Sequence, residues 1–125
     1  MKTLTSDTDW VRIYMSGPIE VAKQVIRAEC LREGLCVTVD ATLYIYTGGE
    51  EFGFVVGLVN YPRFPTTQLA LDERAHDLML KLLDATYQHS ALMVTPTMST
   101  WITKREDSRV TAAYTDDFAK NKVGT

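Results

Sequence analysis

Several things are scarce in this chain, and each scarcity excludes something. Two cysteines among 125 residues cannot build a disulfide framework. Cys30 and Cys36 also lack metal-site spacing, so they read as small hydrophobes of a reducing compartment. The two histidines, His76 and His89, are too far apart in sequence to form a ligand pair, and no metal is expected. Basic residues are outnumbered, 13 Lys and Arg against 16 Asp and Glu, giving a net charge of -3. That argues against a protein that coats nucleic acid, which needs a basic stripe. No apolar run is long enough to cross a membrane, and no leader or lipidation pattern is visible, so a cytoplasmic protein is expected. There is no internal repeat and no low-complexity block. What remains is an ordinary single domain, 46% hydrophobic, with enough apolar residues for a real core.

The stretch from Leu35 to Tyr61 is the most informative. Apolar residues alternate at Leu35, Val37, Val39, Ala41, Leu43 and Ile45, the period of a strand with one buried face. A second apolar run follows Gly48-Gly49. A glycine pair between two such runs predicts a hairpin, since tight hairpin turns need positive φ. With Gly48-Gly49 as the two-residue loop, Ile45 faces Phe52, Leu43 faces Phe54, Ala41 faces Val56 and Val39 faces Leu58. All four pairs then lie on one apolar face covered by helices. Tyr44 faces Gly53 and covers it, as a strand glycine tends to require.

In chain order, residues 1–9 are expected to be a flexible N-terminus. Trp10 to Met15 alternates with Val11, Ile13 and Met15 on one side, a first strand. Ser16-Gly17-Pro18 opens a helix with Pro18 at its first position, Glu20 near its positive end and Gly34 just past its end. Its buried stripe is Ala22, Val25, Ile26 and Cys30. After the hairpin, Pro62 and Pro65 make a rigid connection. Thr66 or Thr67 caps a second helix over 68–88, striped by Leu71, Ala75, Leu78, Leu82 and Ala85. Ser90 to Thr95 is a fourth strand with Leu92 and Val94 as apolar positions, and 98–104 a fifth, edge strand. Residues 105–125 read as a polar tail in which Val110 to Tyr114 could pair. The order β-α-β-β-α-β over 10–104, plus one strand, predicts an α+β, ferredoxin-like fold with both helices on one face of an antiparallel sheet. The other face carries Thr38, Asp40, Thr42, Tyr44, Val55 and Val59. It is too apolar for plain solvent surface, so self-association through it, as a dimer or trimer, is expected.

Three resemblances bear on function. Gly48-Gly49-Glu50-Glu51-Phe52 is similar to the Gly-Gly-Asp/Glu-Glu-Phe signature of diguanylate cyclases. That reaction gathers carboxylates around magnesium, and the strand Val11-Arg12-Ile13-Tyr14-Met15 offers none. The hairpin residues Cys36-Val37-Thr38-Val39 and Thr42 to Glu51 resemble the copper-tolerance (CutA) family, which implies a ferredoxin-like trimer. The strings Gly34-Leu35-Cys36-Val37-Thr38-Val39, Tyr44 to Glu51 and Asn60 to Pro65 resemble a small uncharacterised protein family of T-even-like phages. This implies an accessory protein that binds a host protein or sequesters a small anionic, nucleotide-like signal.

Candidate ligand contacts are Tyr44 and Tyr46 for stacking, Asn60, Tyr61 and Arg63 in the proline-bounded connection, and Trp101 beside Lys104 and Arg105. Arg63 must find solvent, a ligand or a carboxylate such as Glu50 or Asp72. No catalytic constellation and no cofactor motif stands out. The expectation is therefore a non-enzymatic, oligomeric binding protein, with a CutA-like regulatory or metal-responsive trimer second and a nucleotide enzyme third.

Overall fold

A computed structural model describes residues 1–105. The chain forms β1 (Trp10–Ser16), α1 (Ile19–Arg32), β2 (Val37–Tyr46), β3 (Gly49–Val59), α2 (Gln68–Thr86), β4 (Ser90–Val94) and β5 (Ser99–Thr103). The strands make one antiparallel sheet in the order β2-β3-β1-β4-β5. This is the ferredoxin-like α+β arrangement, extended by β5 on the edge beside β4. Val11, Ile13 and Met15 of β1 and Phe54, Val56 and Leu58 of β3 point to the helices, and all are 2% exposed or less. They pack with Ala22 and Ile26 of α1 and with Leu71, Ala75, Leu78, Met79, Leu82 and Leu83 of α2. On β4 it is Ala91 and Met93 that enter this core. Leu92 and Val94, the apolar positions expected from the sequence, fall on the opposite face. The expected pairing of Val110 to Tyr114 lies outside the described residues.

The hairpin turn is not where the glycine pair suggests. Tyr46 pairs with Gly49, so Thr47 and Gly48 form the two-residue loop, and the positive φ belongs to Gly48, at 94°. Every pair moves by two residues on β2. Ile45 faces Glu50, Leu43 faces Phe52, Ala41 faces Phe54, Val39 faces Val56 and Val37 faces Leu58. A slip of two keeps each side chain on its own face, which is why alternation alone could not detect it. A second correction concerns burial. Phe54 is fully buried, but Phe52 is 79% and Ile45 75% exposed. The hairpin outruns the helices, so its tip keeps the apolar pattern without the cover.

The helix ends show how local chemistry sets the element bounds. Pro18 is the N-cap of α1 rather than its first helical residue. At the other end Glu33 closes the helix in an extended conformation, and Gly34 is not left-handed. Thr67 caps α2, its hydroxyl accepting from the Ala70 amide at 3.1 Å. That helix ends at Tyr87, held at φ 56°, with its amide and that of Gln88 closing back on Asp84 and Leu83. The two helices are joined by Glu29 of α1, which binds Arg32 at 2.9 Å and Lys81 of α2 at 2.8 Å. The hydrogen bonds from Arg32 and then Lys81 hold its carboxyl at about 2.

Phe54→Ala is expected to cost about 3–5 kcal/mol in urea unfolding, as a fully buried large-to-small change. Phe52→Ala should stay within about 0.5 kcal/mol. Glu29 gives a pH prediction. Its carboxyl falls from an ordinary 4.5 to about 2 on folding, so its stabilisation is complete above pH 4.5 and is lost as pH falls from there through 2. Glu29→Gln should therefore be destabilised near neutrality and show a flatter decline of the urea midpoint below pH 4.5 than the parent.

Candidate active site

The open face of the sheet holds a pocket of about 450 Å3 at the end where β1 finishes. Its floor is Tyr14, which alternates outward between buried Ile13 and Met15, with Ser16 beyond it. Trp101 of β5 closes one side, standing on the same face as Leu92, its pairing partner. Tyr44 of β2 and Glu51 of β3 close the other. Gln88 and His89, from the turn after α2, form the end wall. That turn is held against β1 because Gly17, at φ 127°, has no side chain where Gln88 and Thr86 pack.

The carboxylate in this pocket is fixed. Glu51 accepts a hydrogen bond from the Ser16 hydroxyl at 2.6 Å, across the β1–β3 junction. Tyr44 is fixed as well. It pairs with Glu51 rather than with Gly53, but its ring leans diagonally over Gly53 and its hydroxyl donates to the Phe54 carbonyl at 2.9 Å. The expected aromatic cover of that glycine is present in a different register. Burial pushes the Tyr44 phenol up, so it stays a neutral hydrogen-bond donor at physiological pH. Tyr46, 53% exposed, lies at the hairpin end against Gly49 and outside the pocket. Its phenol is also pushed up, first by desolvation and then by the Glu51 carboxylate.

Of the six candidate contacts read from sequence, the pocket unites two, Tyr44 and Trp101. Asn60, Tyr61 and Arg63 sit at the far end of the sheet, beyond Trp10, about 20 Å away by strand length. Asn60 is a structural anchor, 6% exposed. Its side-chain amide donates to the Asp7 carbonyl at 2.9 Å, and its carbonyl oxygen accepts from the Thr66 amide at 2.7 Å. With the Asn60 amide bonded to the Asp9 carbonyl, the last part of the N-terminal segment is tied to the sheet. Tyr61 stacks on Phe64 with ring centres 5.3 Å apart. Its phenol is pushed up, first by its hydrogen bond with Cys36. Arg63 is exposed, and among the described residues it makes no ion pair; Asp72 instead accepts from Gln68.

Tyr14, Ser16, Gln88 and His89 were not read as site residues from the sequence. Tyr14 carried a usable signal, an aromatic residue on the outward phase of a core strand. Ser16, Gln88 and His89 carried none, because their placement depends on how Gly17 packs against the α2–β4 turn. Among the described residues no group of three or more His, Cys, Asp or Glu side chains gathers as a metal site, and no helix is long and apolar enough to cross a membrane.

No family model and no curated protein matches the chain. Solved structures do. The chain is similar to a phage SAM lyase in its apo state, with a TM-score of 0.66 at 16% identity, covering 84% of this chain and 96% of the other. It is also similar to a phage SAM lyase in complex with S-methyl-5'-thioadenosine, with a TM-score of 0.55 at 15% identity, covering 82% and 95%. The likeness is one of fold. Both neighbours are enzymes by name, and this overturns the expectation of a non-enzymatic binding protein. That expectation rested on the missing catalytic constellation. The residues around the pocket come from all five strands and a turn, a grouping no linear motif could display.

Two substitutions test this geometry. Arg63→Ala should leave the unfolding midpoint unchanged within about 0.5 kcal/mol. Gly53→Ala should lower stability by more than about 2 kcal/mol, because its methyl group would meet backbone as well as the Tyr44 ring. Both are read by thermal or urea unfolding.

Proposed function

We propose that this chain is an enzyme of the SAM lyase kind, acting in the host cytoplasm and splitting S-adenosylmethionine at the bond between its sulfur and the aminobutyrate chain. The observation that carries the reading is the pocket itself. A fixed carboxylate, Glu51, stands among three aromatic side chains in a volume suited to a nucleoside with a short tail. The fold neighbours support it, since S-methyl-5'-thioadenosine is S-adenosylmethionine without that tail.

The chemistry requires little from a protein. Lyase cleavage uses no water, so the substrate's own carboxylate is the available nucleophile. Its oxygen bonds to the carbon next to sulfur, the carbon–sulfur electrons pass to sulfur, and a neutral thioether leaves beside a five-membered lactone. A negative and a positive charge disappear together. Such a step is favoured where water is displaced, and the aromatic side chains of Tyr14, Tyr44 and Trp101 are the groups a bound substrate would cover. The same argument limits what Glu51 can do. Charge on sulfur falls as the bond breaks, so a carboxylate against the sulfur would stabilise the ground state more than the transition state. Glu51 is better employed on the ammonium group, whose charge persists throughout. That contact leaves the substrate carboxylate free to fold back on the chain. The aromatic rings take the adenine by stacking, a contact of about 1–3 kcal/mol.

Purified protein incubated with S-adenosylmethionine should release S-methyl-5'-thioadenosine and a four-carbon lactone, detected by liquid chromatography with mass spectrometry. Glu51→Gln should lower kcat/KM by about 10–100-fold, the loss of one charge-assisted hydrogen bond. Absence of the thioether product, or a Glu51→Gln enzyme as fast as the parent, would overturn the reading.

A further inference from the structure

Ser16 is the last residue of β1, and its side chain leaves the sheet on the open face, in phase with Tyr14. Its backbone is pinned on both sides. Ser16 pairs with Gly53, and the next amide, that of Gly17, donates to the Phe52 carbonyl at 3.2 Å. A serine just ahead of a helix commonly serves that helix, by capping its first amides. Here it does not: the N-cap of α1 is Pro18, and no side chain caps that helix. The Ser16 hydroxyl is given instead to Glu51, donating to Oε2 at 2.6 Å, a length typical of a bond to an ionised acceptor. Glu51 itself is exposed, near the tip of the hairpin. A bond made that close to solvent adds little to folding stability, so its value has to be sought in what it does to the carboxylate.

We infer that Ser16 is a positioning residue for the candidate site: it holds one oxygen of Glu51 in place so that the other meets the ammonium group of the substrate. The inference rests on the lyase reading, which puts Glu51 on that ammonium. An exposed glutamate on a hairpin samples several rotamers, and a ligand that needs one of them bears the cost of freezing it. A bond from a fixed strand end freezes it beforehand. The donor is neutral, so the carboxylate keeps its charge for the ligand, whereas a lysine or arginine in the same place would compete with the ammonium. Ser16 and Tyr14 belong to one strand, so the tether also sets the carboxylate at a fixed distance from the aromatic wall that takes the adenine. The ammonium keeps its charge through the reaction. What Ser16 contributes is therefore the same for bound substrate and for transition state, and it shows in KM rather than in kcat.

Isothermal titration calorimetry on the full chain tests this with two ligands that are not split. S-adenosylhomocysteine keeps the ammonium but has a neutral sulfur, and S-methyl-5'-thioadenosine lacks the ammonium altogether. Ser16→Ala should bind the first about 5–20-fold more weakly than the parent and the second within about twofold, as when one charge-assisted contact loses its preset geometry. Its melting temperature should stay within about 3 °C of the parent. With S-adenosylmethionine, KM should rise by about the same 5–20-fold and carry most of the loss in kcat/KM. Adding Ser16→Ala to Glu51→Gln should cost no more than about twofold beyond Glu51→Gln alone, because Ser16 acts through that carboxylate. Equal weakening of both ligands would make Ser16 a general support of the pocket and overturn the inference. So would a Ser16→Ala protein that binds both like the parent, or losses that add in the double variant. A parent that binds neither ligand would overturn the lyase reading itself, and the assignment of Ser16 with it.

Discussion

The candidate site depends on one missing side chain. A Cβ at Gly53 would stand 2.3 Å from the Met15 carbonyl oxygen, 2.7 Å from the Tyr44 ring and 2.8 Å from the Ser16 Cα. Two of those three obstacles are backbone, so no rotamer change could make room. Because residue 53 is glycine, β1 can close on β3 at its last turn of register, which brings Ser16 within hydrogen-bond reach of Glu51. The same vacancy lets Tyr44 lie across the strand and bond to the Phe54 carbonyl. A carboxylate and a phenol are thereby fixed on one wall by the chain with the least to say for itself.

The sequence made much of this legible. Alternation at Val11, Ile13 and Met15, and the stripe through Leu71, Ala75, Leu78 and Leu82, specify which faces are buried, and the order of elements follows. Alternation is blind to shifts of two residues, however. Gly48-Gly49 offered two equivalent places for a turn, and the one used, Thr47-Gly48, needs positive φ at only one glycine. Burial was overestimated at Ile45 and Phe52 because periodicity reports the side a residue faces, not whether a helix reaches it. Leu92 and Val94 were taken as the apolar positions of β4, but the strand alternates in the opposite phase, with Ala91 and Met93 turned to the core.

The site was less legible than the fold for a different reason. Asn60, Tyr61 and Arg63 looked functional because they combine polar, aromatic and cationic groups in a stiff loop. In the structure Asn60 spends its hydrogen bonds on Asp7 and Thr66, and Tyr61 packs on Phe64. Such residues are what a well-built connection needs for its own integrity. Glu51, by contrast, looked like one more charge after a glycine turn. Its chemical interest comes from neighbours that are distant in sequence, Tyr14, Trp101 and His89, and these come together only when β1, β4 and β5 assemble beside β3.

The silent register of the hairpin has a consequence for how the molecule assembles. β2 and β3 are adjacent in sequence and joined by a two-residue loop, so they can pair in ~1–10 μs. β1 must return from a remote part of the chain, which is slower because a long loop has to close first. Alternation alone leaves such a hairpin two face-preserving registers. The slipped form sets Tyr44 directly opposite Gly53, whereas in the native form Tyr44 crosses that glycine diagonally and bonds to the Phe54 carbonyl just where β1 arrives. The native hairpin register and the pairing of β1 at Ser16 and Gly53 therefore support each other, because the Tyr44 bond to Phe54 forms beside the arriving strand.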